Sequence, residues 1–153
     1  MKNKIQHIIN NLTMFKLIVY SFLFLEVFIV LPYLIIINYF KIETGGADLS
    51  GKSIITIYFI GVIFVPLLET LIFQTVIINL VKKAFPKLPI ISIIISSVLF
   101  GLSHFYSIAY ILYTILMGII FAYSYILSQK KEYNPFLVVF SIHALHNLTT
   151  FIV

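Results

Sequence analysis

Apolar residues in this chain come in long blocks separated by short polar connectors: Leu17 to Phe40, Ile54 to Val81, Ile90 to about Ser103, Ile108 to Ser128 and Phe136 to Val153. Blocks of this kind are apolar on every side, the signature of helices that face lipid. Four are long enough to cross a hydrocarbon core that needs about 20 residues. The third is short, and the stretch Ser103 to Ser107 behind it reads as a tight turn or broken helix inside the protein. The connectors carry turn chemistry: Gly45, Gly46 and Gly51 in the first, Pro86 and Pro89 in the second, Asn134 and Pro135 in the fourth. The pattern predicts an all-α, polytopic membrane bundle of about five transmembrane helices. Residues 1–16 form a basic, cytoplasmic N-terminal segment and residues 17–153 a single transmembrane domain.

Composition strengthens this reading. Of 153 residues, 61% are hydrophobic and 10% charged, and the mean hydropathy is +1.12, far from the balance of a soluble domain. Cysteine is absent, which excludes disulfides, thiolate metal sites and cysteine nucleophiles. Every basic residue is Lys, with no basic stripe interleaved with aromatics, so membrane lipids and not nucleic acid are the expected partner. Alternating the connectors across the bilayer puts eight lysines on one face and two on the other. The positive-inside rule then predicts a multi-pass cell-membrane protein with its N-terminus in the cytoplasm and its C-terminus outside. The first apolar block has no small-residue cleavage site behind it and reads as a retained helix.

Against this background the polar residues inside the blocks carry the information. Glu26, Glu69, His104, His143, His146 and Asn147 all lie within or beside apolar segments, where an unpaired ionisable group costs several kcal/mol or more. Glu69 is fifteen residues from Ile54 and twelve from Val81, close to mid-bilayer by either count. Pro66, one turn earlier, removes a backbone donor and frees a carbonyl. His143 and Asn147 are four apart and share a helix face, with His146 flanking it. Glu26 has no polar neighbour in sequence and reads as a hydrogen-bonded packing residue.

Three spaced motifs make the chain resemble the CPBP family of intramembrane proteases, which includes the eukaryotic CAAX prenyl endopeptidase and many bacterial Abi proteins. The family's Glu-Glu-x-x-x-Arg corresponds to Glu69-Thr70-Leu71-Ile72-Phe73-Gln74. Its Phe-x-x-x-His stands as Phe100-Gly101-Leu102-Ser103-His104, and its His-x-x-x-Asn as His143-Ala144-Leu145-His146-Asn147. The first motif departs from the pattern: Thr70 and Gln74 replace a Glu and an Arg that would sit four apart and pair, so both charges are lost together. Thr70 and Gln74 are expected to contact each other or nearby backbone.

The resemblance implies that Glu69 is a general base that takes a proton from water, that His104 positions that water, and that His143 and Asn147 stabilise the oxyanion of a cleaved peptide bond. Elementary chemistry agrees, because a carboxylate in a low-dielectric site is a stronger base than in water, and N–H donors count for most there. No cofactor is expected. Zinc bound by Glu69, His104 and His143 or His146 is the rival, although no His-Glu-x-x-His is present. The partner implied is a peptide or protein substrate of unknown identity. Two other readings compete: a non-catalytic membrane interaction or bacteriocin-immunity protein of the same family, and a proton or small-solute pathway built on Glu26, Glu69 and the histidines.

Overall fold

A computed structural model describes residues 11–45 and 51–152; Lys2, Lys4, Gly46 and Val153, on which parts of the topology and helix reading fall, lie outside the described residues. Five helices account for nearly all of the remainder. They are α1 (Met14–Phe40) and α2 (Ile54–Ala84), α3 (Pro89–Leu102), α4 (Ile108–Lys130) and α5 (Pro135–Ile152).

Four of the five helices begin at a side-chain cap. The side chains of Thr13, Ser53 and Ser107 accept the backbone N–H of Lys16, Thr56 and Tyr110 at 3.3, 3.2 and 3.1 Å. Asn134 does the same for Leu137 at 3.1 Å. Pro89 and Pro135 occupy first-turn positions whose missing N–H is no loss. At the other end of α1, Lys41 turns left-handed with φ 52°.

Three of the helices, α1, α2 and α4, are long and apolar enough to cross a membrane; α3 and α5 are shorter and apolar. The expected break after the third block is present, since α3 stops at Leu102, a turn holds Ser103 to Tyr106, and Ser107 restarts the chain as α4. Phe15, Ile35, Tyr39, Ile55, Phe59 and Ile94 stand exposed on the outer faces, where lipid is their natural contact. The chain is thus a multi-pass helical membrane protein.

Helix α4 is the axis of the bundle. Its Met117, Phe121, Ala122 and Tyr125 are buried against Phe100 of α3 and Val138, Val139 and Ile142 of α5. Two glycines set the α3 to α4 spacing: a Cβ on Gly118 would lie 2.9 Å from Ser97 Cα, and one on Gly101 would lie 2.9 Å from the Ile115 nitrogen. Helix α1 packs across α5 and α4, and α2 across α5 and α3. Ser124 Oγ donates to Ser21 Oγ at 3.0 Å between α4 and α1, and Ser96 Oγ to the Phe73 carbonyl at 2.9 Å between α3 and α2.

The two helices that carry a mid-membrane Glu are not regular. In α1 the backbone ladder slips to the wider i→i−5 register over Glu26–Val30, and in α2 over Phe59–Phe64 and Thr70–Ile77. The first slip ends just before Pro32 and the second just before Pro66: Leu31 N–H reaches Glu26 O, and Val65 N–H reaches Ile60 O. Widened turns of this type recur at functional sites because they rotate side chains out of the regular stripe.

Candidate active site

Construction of the site starts with the proline in α2. Once Val65 has bonded to Ile60, the next carbonyl, Gly61 O, would look to residue 66 for its hydrogen, and Pro66 has none. A carbonyl left bare inside a membrane bundle costs several kcal/mol. Asn147 of α5 meets this need, its Nδ2 donating to Gly61 O at 2.7 Å. The bond pins the polar face of α5 to α2 one turn from His143, while the second hydrogen of Nδ2 stays available.

That clasp brings Glu69 between two imidazoles. Glu69 Oε1 is 3.4 Å from His104 Nε2, and its Oε2 is 3.5 Å from His143 Nε2. His104 lies in the turn after α3, and its Nδ1 is 2.7 Å from the Phe100 carbonyl. A carbonyl only accepts, so Nδ1 carries a hydrogen and a neutral His104 turns a lone pair toward Glu69. His143 is buried, with its ring beside Phe121 (centroids 4.7 Å) and edge-on to Phe100 (5.8 Å). Its Nδ1 has no hydrogen-bond partner, which leaves Nε2 as the nitrogen that can bond. Contacts of 3.4 and 3.5 Å are long for direct hydrogen bonds. They hold the carboxylate without saturating it.

Glu69, His104, His143 and Asn147 line one cavity of about 620 Å³. A second hollow of about 530 Å³ is lined by α2 residues such as Ile55 and Phe59 and offers no ionisable group. Among the described residues no group of three His, Cys, Asp or Glu side chains is arranged to hold a metal ion.

Glu26 and His146 belong to the same cavity, and the hydrogen-bonding role read for Glu26 has a partner that the sequence did not name. Glu26 is not isolated: its Oε1 lies 2.7 Å from His146 Nδ1, and Thr149 Oγ1 donates to it at 3.4 Å. The other imidazole nitrogen, His146 Nε2, is 3.2 Å from the Tyr113 hydroxyl. The available signal was the presence of two orphan polar residues, one on α1 and one on α5, each needing a partner.

Thr70 and Gln74 also differ from expectation. Both are fully buried, yet Thr70 Oγ1 and both polar atoms of the Gln74 amide have no hydrogen-bond partner. The i→i−5 ladder over Thr70–Ile77 widens the turn, so positions four apart no longer stack as they do at 3.6 residues per turn.

Comparison with known proteins identifies a family. A family model described as type II CAAX prenyl endopeptidase Rce1-like matches residues 51–149, well over half of the chain and the whole of α2 to α4 with most of α5. No curated protein matches the chain, and no solved structure does.

Proposed function

The chain belongs to the Rce1-like type II CAAX prenyl endopeptidase family, and from that premise we propose that it is an intramembrane endopeptidase in which Glu69 activates the attacking water. The observation that carries the reading is the carboxylate held between two imidazoles, 3.4 Å from one and 3.5 Å from the other, on a membrane-embedded cavity. In a low-dielectric site the Glu69 and His104 pair is favoured when electrically neutral overall. One proton is then shared between Oε1 and Nε2. In the form with Glu69 ionised and His104 charged, the carboxylate is free to take a proton from water lodged beside it. Attack on a peptide carbonyl transfers that proton to Glu69 and places negative charge on the carbonyl oxygen. His143 Nε2–H and the spare hydrogen of Asn147 Nδ2 are the donors that offset this charge.

No metal enters this scheme. Partners are a peptide or protein substrate and the surrounding lipid, and the lysine distribution supports a cell-membrane location with a cytoplasmic N-terminus.

The test uses protein reconstituted in liposomes, a complex peptide library, and mass spectrometry to find cleaved products. Wild type is expected to cut a defined subset, and Glu69→Gln, which keeps size and hydrogen bonding but removes the base, to lower that cleavage at least about hundredfold. Chelator in the same digest should leave wild-type cleavage unchanged, whereas a zinc hydrolase would stop. Undiminished cleavage by Glu69→Gln, or none by wild type, refutes the proposal and leaves the interaction or immunity reading in its place.

A further inference from the structure

Peptide hydrolysis needs a second proton transfer: the departing amine must be protonated as its bond to carbon breaks, and within the Glu69 cluster the proton on offer is the one that Glu69 takes from the attacking water. The His104 Nδ1 hydrogen is committed to the Phe100 carbonyl. His143 Nδ1 is buried without a partner, and its ring lies against Phe121 and Phe100. On the same cavity, however, a carboxyl, an imidazole and a phenol stand in series: Glu26 Oε1 at 2.7 Å from His146 Nδ1, and His146 Nε2 at 3.2 Å from the Tyr113 hydroxyl. We infer that Glu26, His146 and Tyr113 form a proton relay that protonates the leaving amine, with Tyr113 as the group that meets the substrate nitrogen. The inference rests on the protease reading of the site.

Charge balance gives the relay its direction. A net-neutral Glu26 and His146 pair is either a carboxylate with an imidazolium or a carboxylic acid with a neutral ring bonded through Nδ1. Both forms carry a hydrogen on Nε2. That hydrogen is donated to the Tyr113 oxygen, so the hydrogen of Tyr113 itself is left free for the cavity. A lone tyrosine would be a poor acid, but one whose oxygen already accepts a hydrogen from an imidazole backed by a carboxyl can be replenished as it gives its proton away.

The step balances. Water adds to the carbonyl carbon and its proton passes to Glu69. As the tetrahedral intermediate collapses, the carbon–nitrogen bond breaks with its electron pair on nitrogen, and the Tyr113 hydroxyl proton moves to that nitrogen. The Tyr113 oxygen takes the Nε2 proton of His146. The relay is then short of the one proton that Glu69 has gained, and water in the cavity returns it. Products are a carboxylic acid and an amine, with no oxidant or reductant.

An amine leaves poorly without protonation, whereas an alkoxide of low basicity does not need it. A peptide identified by the library digest is therefore made in two forms, with an amide or an activated ester at the scissile position. Tyr113→Phe and Glu26→Gln are expected to lower amide cleavage by about a hundredfold, the low end for loss of a general acid, and to lower ester cleavage far less. Ester cleavage also reports whether each variant is folded. Equal losses on amide and ester, or no loss on the amide, overturn the relay. Glu69→Gln separates the two proposals, because it should abolish both cleavages; if it does so while Tyr113→Phe acts on both substrates alike, the relay fails and the Glu69 reading stands.

Discussion

Substituting Gly101 by Ala tests whether helix packing places His104. The added Cβ would collide with Ile115 Cγ1 and lie 2.9 Å from the Ile115 nitrogen and 3.0 Å from the Ile111 carbonyl oxygen. The isoleucine side chain can turn away, but two of the three contacts are backbone atoms of α4 and cannot. Relieving them to ordinary contact needs roughly half an ångström of separation between α3 and α4, in a core packed as densely as an organic crystal. Overpacking of this kind costs about 1–3 kcal/mol. His104 follows Gly101 by three residues and is tethered to α3 through the Phe100 carbonyl, so the displacement carries to its contact with Glu69, now 3.4 Å. A misplacement approaching 1 Å in a catalytic site costs about a hundredfold in rate, and a smaller shift proportionately less. The expected result is a folded protein, lowered in thermal stability, whose peptide cleavage falls about tenfold or more. Activity and stability should be read on the same liposome preparation. Wild-type cleavage with an unchanged melting temperature would show that the α3 to α4 spacing does not position His104.

Three further outcomes are expected. Asn147→Leu leaves the Gly61 carbonyl bare and removes a proposed oxyanion donor, so it should destabilise by about 1–3 kcal/mol in a denaturation assay and also lower cleavage; an unaffected melting curve would show that the clasp is not needed. Gln74→Leu replaces a buried, unpartnered amide with an apolar side chain of similar size and should raise stability by about 1 kcal/mol or more; a loss instead would mean that the amide has partners, such as internal water, of real value. Lys87→Cys introduces a single thiol at an exposed site of the α2 to α3 connector in a chain without cysteine, and a membrane-impermeant maleimide should label it only after cells are opened; labelling of intact cells would reverse the proposed topology.

Much of the helix layout was readable from the sequence because the relevant forces are local. Apolar block lengths and the prolines at 89 and 135 act within a few residues of where they stand. The motif around His104 likewise announces a break in its helix. Contacts between distant segments were not readable. Glu26 and His146 are 120 positions apart, and nothing in either neighbourhood specifies that α1 lies across α5. The slipped backbone registers were hidden for a different reason: a proline signals that the ladder must fail, but not whether the chain will kink, widen or recruit a side chain. Thr70 and Gln74 show the consequence, since an i, i+4 argument assumes a regular turn that this part of α2 does not have.

Both carboxyls lie on helices interrupted by a proline. A helix in lipid cannot leave backbone carbonyls unsatisfied, so each interruption is tolerable only where a neighbouring helix brings polar side chains to it. Helix α5 is that neighbour for α2. Asn147 closes the gap that Pro66 opens in α2, and His143, on the same face one turn away, meets Glu69. On the other flank His146 and Thr149 meet Glu26, which opens the slipped stretch before Pro32 of α1. The polar seam of α5 therefore does two jobs: it satisfies the carbonyl that Pro66 disturbs, and it gathers Glu69 and Glu26 onto one cavity. This also explains why the ionisable groups form two clusters on that cavity instead of a chain toward both membrane surfaces, an arrangement that suits proton transfers on a bound substrate better than conduction across the bilayer.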